Sequence, residues 1–574
     1  MGLKTIQVET VAQAYLELLR ERGVEHFLAN AGTDFASIVD AFAKFRAERK
    51  TAPRPMVVPH EFAAVSMAHG YYLATGRPLA VMVHVTVGTA NAACAIINAA
   101  RAQVPVLFTA GRTPITEEGL PGARDVHIHW AQESFDQAAM LREYVKWDYE
   151  LRNAVQLESV VDRAFEVMLT EPRGPVYLTL PREVLAQRLE SISLSSPPRR
   201  QARSERLPDP KRIDEAGRLL AAARFPLIIT TAAGRDARAV PALTALAEAG
   251  GIGVLESSPT DLNFPQRHPL HLGFVPAAGL DETLGEADVI LVVDSDVPWF
   301  PAIQKPADDA TIIHLGIDPF FSRYPMRSYP CDVPIVAEPS VALPLLAEAV
   351  RRHSNPADVA ARTAKVTAEH RRRRAAWEAT AAAQGTKTTI GFAWVGKCLE
   401  SLLDDDTVVV NEYPLDLRYT AFTRPGSYFG SPHSGGLGWG LGAALGIKLG
   451  RPSSTVIATL GDGAYFFGQP TSCHFVSRAE NLPILTVLFN NRRWEAVKFA
   501  ALGLHPDGWA RSTSHFPLTE LTPSPRFEEI VRAFDGHGER VEDPAEVTPA
   551  LKRGLAAVRD GRQALLNILC ERAP

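Results

Sequence analysis

The chain has 574 residues, of which 46% are hydrophobic and 22% charged, and its formal net charge is −5. Such a length exceeds what one hydrophobic core serves, so about three domains are expected. No basic excess favours nucleic acid, no uncharged apolar run reaches membrane-spanning length, and the first residues lack the apolar core of a signal peptide. Five scattered cysteines favour reduced thiols. We therefore expect a cytoplasmic protein that binds neither nucleic acid nor a membrane.

Short β-branched runs alternate with helical patterns along the whole chain, which is typical of parallel α/β architecture. Strands are predicted at 56–58, 79–85, 104–109, 176–180, 227–231, 253–256, 289–293, 311–316, 407–410, 456–460, 485–489 and 565–570. The stretch 193–204, rich in Ser, Pro and Arg, is predicted to be a linker. The fold class is therefore three doubly wound parallel-sheet domains, over residues 1–190, 205–352 and 385–574. Before the third domain, the basic run Arg371–Arg374 is predicted to be a solvated helix face rather than a polybasic patch.

The most informative pattern lies in the third domain, after the strand predicted at 456–460. It begins with Gly461-Asp462-Gly463-Ala464, and after 25 intervening residues a second strand ends in Asn490-Asn491. Because the carboxyl ends of adjacent parallel strands meet at one edge of a sheet, both groups are expected together there. Carboxylate and amide oxygens suit Mg²⁺, and glycines before a helix N-terminus suit phosphate. The pattern therefore predicts a site for a diphosphate and a metal ion.

This pattern resembles the diphosphate-binding motif of thiamine-diphosphate enzymes. The resemblance implies that Mg²⁺ is bound by the side chains of Asp462 and Asn491 and the backbone carbonyl of Arg493. It also implies that the cofactor contacts Gly461, Gly463 and Ala464. The protein is thus expected to use thiamine diphosphate and Mg²⁺ as cofactors.

A second motif of that family is matched in the first domain by Val57-Val58-Pro59-His60-Glu61 and the alanine-rich helix after it. In the family this glutamate hydrogen-bonds the aminopyrimidine ring of the cofactor. Since Glu61 follows an apolar strand and precedes a helix that must be buried, we expect a desolvated acid with a raised pKa. The segment Ser434–Gly438 resembles the part that bends the cofactor. By this match Leu437 wedges between the two rings and the carbonyl of Gly435 accepts a hydrogen bond; close helix packing is the alternative for these glycines.

The order of the motifs resembles the acetolactate synthase, benzoylformate decarboxylase and pyruvate oxidase group. The first domain is then pyrimidine-binding, the middle one Rossmann-like and the last diphosphate-binding. In this group the active site forms between two subunits. A homodimer is therefore the expected minimal active unit, and a homotetramer the expected assembly.

Residues 84–91 are similar to the His-x-x-x-Gly-Thr-x-Asn stretch of benzoylformate decarboxylase, in which the histidine faces the substrate. His84 is therefore a candidate acid/base, with a core histidine as the alternative. Ala31-Gly32-Thr33 resembles a family turn, so Thr33 is expected to line the cofactor pocket. The segment 127–133 resembles a region near the site of acetolactate synthases, and is expected to pack in the pocket or at an interface.

Two positions depart from the family pattern. Trp299-Phe300-Pro301 stands where benzoylformate decarboxylase has a second active-site histidine, which weakens the transfer of that substrate. Glu495 stands where most relatives have glycine. A proton shuttle, or an ion pair with Arg492 or Lys498, explains this carboxylate equally well.

The sequence predicts a carbon–carbon lyase or carboligase of the decarboxylase type that acts on small 2-oxo acids or aldehydes, with Glu61, His84 and Glu495 as catalytic candidates. One alternative is a 2-hydroxyacyl-CoA or oxalyl-CoA lyase, for which Glu495 is a suitable base. A second is an acetolactate synthase-like transferase, disfavoured by His84. An inactive cofactor-binding paralogue is disfavoured because Glu61 and Asp462 are both present. No motif supports a flavin or nucleotide in the middle domain.

Overall fold

The computed structural model describes residues 2–196 and 204–572. It contains three parallel sheets of six strands each, which confirms the predicted fold class, and one two-stranded antiparallel sheet. By its contacts the chain divides into two compact units. The first comprises Met1–Arg203, Ser431–Arg540 and Arg553–Asn567, and the second Ser204–Gly430, Val541–Lys552 and Ile568–Pro574. Every candidate site residue named from the sequence lies in the first unit.

The N-terminal part of the chain forms a sheet with the strand order β3-β2-β4-β5-β7-β6, and β1 pairs antiparallel with β8. Its strands are β1 (Gly2–Gln7), β2 (His26–Asn30), β3 (Arg54–Val57), β4 (Ala80–Val83), β5 (Leu107–Arg112), β6 (Asp148–Glu150), β7 (Val176–Pro181) and β8 (Ser191–Ser196). Its helices are α1 (Val11–Glu21), α2 (Ala36–Ala47), α3 (Glu61–Thr75), α4 (Val85–Arg101), α5 (His127–Gln132), α6 (Leu157–Leu169) and α7 (Arg182–Ala186). The linker prediction is wrong at its start, because residues 193–196 pair with β1; residues 197–203 lie outside the described part.

The middle part forms a sheet with the order β11-β10-β9-β12-β13-β14. Its strands are β9 (Pro226–Thr230), β10 (Gly253–Glu256), β11 (His271–Phe274), β12 (Val289–Val293), β13 (Thr311–Gly316) and β14 (Val333–Val336). Its helices are α8 (Pro210–Ala222), α9 (Ala239–Gly250), α10 (Glu282–Glu286), α11 (Pro339–His353) and α12 (Pro356–Gly385). Strand β12 is buried along its whole length, since helices cover both faces of such a sheet.

The third sheet has the order β16-β15-β17-β18-β20-β19. Its strands are β15 (Thr407–Glu412), β16 (Tyr428–Gly430), β17 (Thr455–Gly461), β18 (Leu485–Asn490), β19 (His537–Val541) and β20 (Ala564–Leu569). The helices of this part are α13 (Phe392–Glu400), α14 (Trp439–Gly450), α15 (Asp462–Phe467), α16 (Pro470–Ala479), α17 (Glu495–Leu504), α18 (Trp509–Ser512), α19 (Phe527–Arg532) and α20 (Val547–Arg559).

Helices α3 and α14 of the first unit pack with their backbones in close contact. A Cβ atom at Gly70 would overlap the backbone carbonyl of Ala443, and one at Gly446 would overlap that of Met67. The glycines inside α14 therefore serve helix packing. This contact packs the helix that begins at Glu61 against the helix that precedes β17, and both helices lie in the first unit.

The arginine run of α12 is solvated at Arg371 and Arg372, which are exposed, so the prediction of a solvated face is wrong only for Arg373 and Arg374. Arg373 is only 12% exposed and forms ion pairs with Asp281 at 2.7 Å and Glu369 at 2.6 Å. Arg374 donates to the backbone carbonyl of Thr420 at 3.0 Å. The run thus binds α12 to its own unit. Separately, no helix within residues 2–196 and 204–572 is long and apolar enough to cross a membrane.

Candidate active site

The first half of the site lies where the order of the N-terminal sheet changes direction. Strands β2 and β4 are parallel neighbours. The chain continues from β2 to β3, toward one edge of the sheet, and from β4 to β5, toward the other edge. Open α/β sheets bind ligands in the crevice at such a point. A 3₁₀ turn, Thr33–Phe35, follows β2, and His84 follows β4. Thr33 is exposed at the start of this turn.

Glu61 is the first residue of α3 and is only 5% exposed. The side-chain amide of Asn30, at the end of β2, donates to its Oε1 at 2.9 Å. The amide of Asn91 donates to Oε2 at 3.2 Å. Both asparagines were missed as site residues, although Asn91 is the last residue of the histidine motif. Its contact explains why that motif and the His-Glu pair occur together.

His84 precedes α4, and its side chain is 21% exposed, which does not fit a core histidine. Its Nδ1 lies 2.5 Å from Oδ1 of Asp34, and its Nε2 lies 3.2 Å from the amide nitrogen of Gln132. Gln132 ends α5, so the segment 127–133 does reach this histidine. Gln132 lies in a segment that was expected in the pocket or at an interface, whereas Asp34 was not identified from the sequence.

The glycine-rich segment before α14 is shaped by backbone conformation. Gly435 and Gly438 have φ values of 68° and 95°, in the region that favours glycine. The side chain of Asn98, on α4, donates to the carbonyl of Gly436 at 2.8 Å and accepts from its N–H at 3.2 Å. Leu437, the next residue, remains partly exposed. The segment is thus held rigidly and presents an apolar side chain, as a wedge between two rings requires.

The second half of the site lies at the ends of β17 and β18, which are adjacent and parallel. Asp462 opens α15, where its Oδ1 accepts from the N–H of Gly463 at 2.9 Å. Its Oδ2 accepts from the N–H of Arg492 at 2.7 Å. Desolvation raises the pKa of Asp462 to about 6. The structure therefore brings Asp462 into contact with the segment after Asn490, as expected.

The two asparagines after β18 have different surroundings. Asn490 is fully buried and donates to Asn567 and Ser524, each at 2.9 Å. Asn491 donates from its Nδ2 to Oε2 of Glu495 at 3.2 Å, while its Oδ1 accepts from the N–H of Arg493 at 3.2 Å. The first asparagine is thus structural, and the second remains the candidate metal ligand.

Glu495, at the start of α17, has Arg493 as its basic neighbour, with Nη1 4.0 Å from Oε1. The guanidinium of Arg493 turns instead to Glu520, at 2.9 Å. Lys498 stacks over the ring of Phe516, with Nζ 5.4 Å from its centroid. The main short contact of Glu495 is therefore with the side-chain amide of Asn491. No pattern in the sequence indicated this contact.

These residues fit a magnesium ion. The side chains of Asp462 and Asn491 and the carbonyl of Arg493 supply hard oxygen atoms, and a divalent cation would offset the buried charge of Asp462. Among the described residues, no group of three or more His, Cys, Asp or Glu could hold a metal, so such a site must use amide and carbonyl oxygens. Space around Gly461 is open, since a Cβ there would meet nothing within 4 Å.

Glycine at position 463 was expected because it suits the binding of a phosphate before a helix, but the structure shows a different reason. Its N–H is directed to Asp462, and a Cβ at this position would overlap the indole ring of Trp494. Glycine is required there because Trp494 packs against the turn. Helix α15 begins at Asp462, so Gly463 lies in its first turn rather than before the helix.

Three family descriptions match the chain. The N-terminal TPP binding domain of thiamine pyrophosphate enzymes matches residues 9–140, their central domain matches 213–346, and their C-terminal TPP binding domain matches 415–568. The first and last of these matches together contain all the candidate site residues named from the sequence.

Relatives of full length are also found. The benzoylformate decarboxylase of Pseudomonas aeruginosa is 28% identical, over 96% of this chain and 98% of that protein. A sulfoacetaldehyde acetyltransferase of Castellaniella defragrans is 26% identical, over 99% and 94%. The solved structure of benzoylformate decarboxylase from Polynucleobacter necessarius superposes with a TM-score of 0.78 at 20% identity, over 99% of both chains, which shows the shared fold.

Proposed function

The chain belongs to the family of thiamine pyrophosphate enzymes, and from this premise we propose that it is a carbon–carbon lyase or carboligase of the decarboxylase type. Its proposed substrates are small 2-oxo acids or aldehydes, and its proposed cofactors are thiamine diphosphate and Mg²⁺. The observation that carries the proposal is the position of Glu61 and a second titratable side chain, His84, at the same edge of one sheet. Gly88 links them, since its N–H bonds the carbonyl of His84 at 2.7 Å and a Cβ there would lie 3.3 Å from Oε1 of Glu61.

Each half of the site has its own task in this proposal. Asp462, Asn491 and the carbonyl of Arg493 would hold the metal, and Glu61 would bind the aminopyrimidine ring. Leu437 and Gly435 would fix the bent shape of the cofactor, and Thr33 would line its pocket. When bound, the cofactor supplies the electron sink that lets a bond next to a carbonyl break.

His84 is the proposed acid/base for the substrate. A 2-oxo acid that loses CO₂ and becomes an aldehyde takes up one proton at the former carbonyl carbon. His84 could hold that proton, since a ring nitrogen of an imidazole can bind a proton and release it again. Thr86 supports this arrangement, because its hydroxyl donates to the carbonyl of Gln132 at 2.8 Å and so fixes the residue that contacts Nε2 of His84.

Glu495 is proposed to orient Asn491. A carboxylate can only accept hydrogen bonds, so it takes the NH₂ group of the amide and leaves the amide oxygen for a metal ion. Proton transfer by Glu495 is the second role that the proposal allows. Substitution by glutamine, which still accepts one hydrogen bond but carries no charge, separates the two.

A homodimer is the proposed minimal active unit, and a homotetramer the proposed assembly. Large apolar side chains of the first unit support an interface between copies. Trp130 is 54% exposed, Phe467 53% and Trp509 84%. Aromatic side chains are enriched in the buried centres of protein interfaces.

Transfer of an acyl group is the second candidate function, favoured by the 26% identity to a sulfoacetaldehyde acetyltransferase. A screen separates the candidates: purified protein with thiamine diphosphate and Mg²⁺ is offered pyruvate, benzoylformate, sulfoacetaldehyde and oxalyl-CoA, while CO₂ and aldehyde are measured. The proposal predicts CO₂ and aldehyde from a 2-oxo acid, lost in the Glu61→Gln variant and retained in the exposed control Asp535→Asn. Consumption of sulfoacetaldehyde without release of CO₂ from any 2-oxo acid would favour acyl transfer instead. Turnover of the acyl-CoA alone, or of none of these substrates, would contradict the proposal.

A further inference from the structure

We propose that Asp34 is a positioning residue that holds the imidazole of His84 in one tautomer, with the proton on Nδ1 and the free electron pair on Nε2. This inference rests on the proposed function, because it deepens the role given to His84. It adds a residue that no motif in the sequence singled out. The pair lies in the crevice between β2 and β4.

The hydrogen bonds of the pair determine the tautomer. Asp34 is 3% exposed, and its Oδ1 lies 2.5 Å from Nδ1 of His84. Its Oδ2 accepts from the N–H of Val85 at 3.4 Å. Because an ionised carboxylate has no proton to give, Nδ1 must carry the hydrogen. Nε2 is then an acceptor, and the amide nitrogen of Gln132, 3.2 Å away, is the matching donor.

The surrounding backbone leaves room for this pair and for nothing larger. A Cβ at Gly32 would overlap the imidazole ring of His84, and a Cβ at Gly111 would overlap the carboxylate of Asp34. These glycines lie after β2 and within β5, on either side of the pair. The two side chains therefore fill space that alanine would close, so their rotamers are fixed by packing.

The charges around the pair are few and can be named. Arg182, at the start of α7, interacts electrostatically with Asp34, and its pKa is lowered by burial and by Arg124. Glu61 lies on the other side, next to the first turn of α4. Glu133, after α5, is bound to Arg112 and Thr113. His84 itself has Asp34 and Gln132 as its polar contacts at the ring nitrogens.

This arrangement has a chemical consequence. A carboxylate at Nδ1 turns the basic Nε2 of the ring away from itself and stabilises the imidazolium that forms when Nε2 takes a proton. His84 can then hold a proton at Nε2 and release it to a substrate atom. Without Asp34 the ring could rotate or carry its hydrogen on Nε2, and it would no longer accept a proton there.

The Asp34→Asn variant tests the proposal with little change in shape. Its amide oxygen keeps the N–H of Val85, and its NH₂ group then faces Nδ1 of His84. Since an NH₂ group donates, Nδ1 must then accept, and the ring hydrogen must lie on Nε2. We expect kcat to fall about 10²- to 10⁴-fold, with KM nearly unchanged. The pH profile of kcat should lose the ionisation that His84→Ala also removes, and the double variant should be no slower than His84→Ala.

A readout without substrate separates this proposal from the proposed function. In ¹⁵N-histidine-labelled holoenzyme, the signals of His84, assigned with His84→Gln, should show hydrogen on Nδ1, and the exposed control Asp40→Asn should show the same. Asp34→Asn should show hydrogen on Nε2. Hydrogen on Nε2 in the unmodified protein, an unchanged signal in Asp34→Asn, or an unchanged kcat would each overturn the proposal. If no substrate is turned over, the proposed function is wrong. The NMR measurement of the His84 tautomer still tests the role of Asp34, because it needs no substrate.

Discussion

The side-chain amide of Asn98 binds both backbone groups of Gly436, with its Nδ2 2.8 Å from the carbonyl oxygen and its Oδ1 3.2 Å from the nitrogen. Oδ1 also accepts from the hydroxyl of Ser434 at 2.6 Å. Asn98 is completely buried on α4, the helix that follows His84. One asparagine thus ties the helix of the first half of the site to the segment that precedes Leu437.

Asn98→Asp should weaken this connection. The variant keeps the shape of the side chain but removes the donor and places a carboxylate oxygen against the carbonyl of Gly436. We expect the free energy of unfolding to fall by about 2 to 3 kcal/mol, since a buried group loses its partner. Ser434→Ala, which removes one hydrogen bond only, should cost about 1 kcal/mol. Urea titration measures both, and equal effects would contradict the assignment.

Gly438 and Gly23 provide a matched pair for the conformation of the glycine-rich segment. Both have positive φ, 95° and 81°, but a Cβ at Gly438 would overlap the backbone at Phe467 and Gly468, whereas one at Gly23 meets nothing within 4 Å. Gly23→Ala should therefore cost about 1 kcal/mol from backbone strain alone. Gly438→Ala should cost clearly more and lower cofactor affinity. Thermal unfolding with and without thiamine diphosphate and Mg²⁺ checks this; equal losses would speak against it.

Most central strands could be predicted from the sequence, because burial on both faces produces an unbroken apolar run such as Val289–Val293. Strand β2 is also central but was missed, since it is buried at only two of its five residues. Edge strands such as β11 and β16 were missed. They have four and three residues, and each contains a glycine, so they carry little periodic signal.

The site could be predicted only in part, because only some of its residues lie in recognisable sequence patterns. Glu61 and Asp462 stand inside recognisable motifs at strand ends. Asp34 and Asn98 have no such context, since their partners lie 50 and 338 residues away in sequence. Only the fold brings each of these side chains to its partner. A single polar residue in a helix or turn gives no sign in the sequence of the residue that it contacts.

Asp261, in the second unit, should make stability depend on pH. Burial raises the pKa of its carboxyl from 3.8 to about 6. The folded state therefore binds the proton more tightly than the unfolded state, and stability falls as pH rises from about 4 through 6. Asp261→Asn removes this effect and should stabilise the protein by about 2 to 3 kcal/mol at pH 8. Near pH 4 the difference should vanish; a gain that does not change with pH would refute this explanation.

Glu495 can be tested through the metal. If it orients Asn491, Glu495→Ala should weaken Mg²⁺ binding about 10- to 100-fold, as loss of a residue that orients a ligand does. Glu495→Gln should keep most of the affinity and of kcat, because its amide oxygen still accepts from Asn491. A Glu495→Gln variant with normal Mg²⁺ affinity but kcat reduced as strongly as in Glu495→Ala would instead assign proton transfer to Glu495.

Binding of the coenzyme tests the account most directly. Calorimetric titration of the cofactor-free protein with thiamine diphosphate in the presence of Mg²⁺ should give saturable binding that disappears when EDTA replaces the metal. Asp462→Ala should abolish it, and the exposed control Asp535→Asn should leave it unchanged. Absence of binding by the unmodified, folded protein, or equal binding by Asp462→Ala, would contradict the assignment of this sheet edge as the diphosphate and metal site.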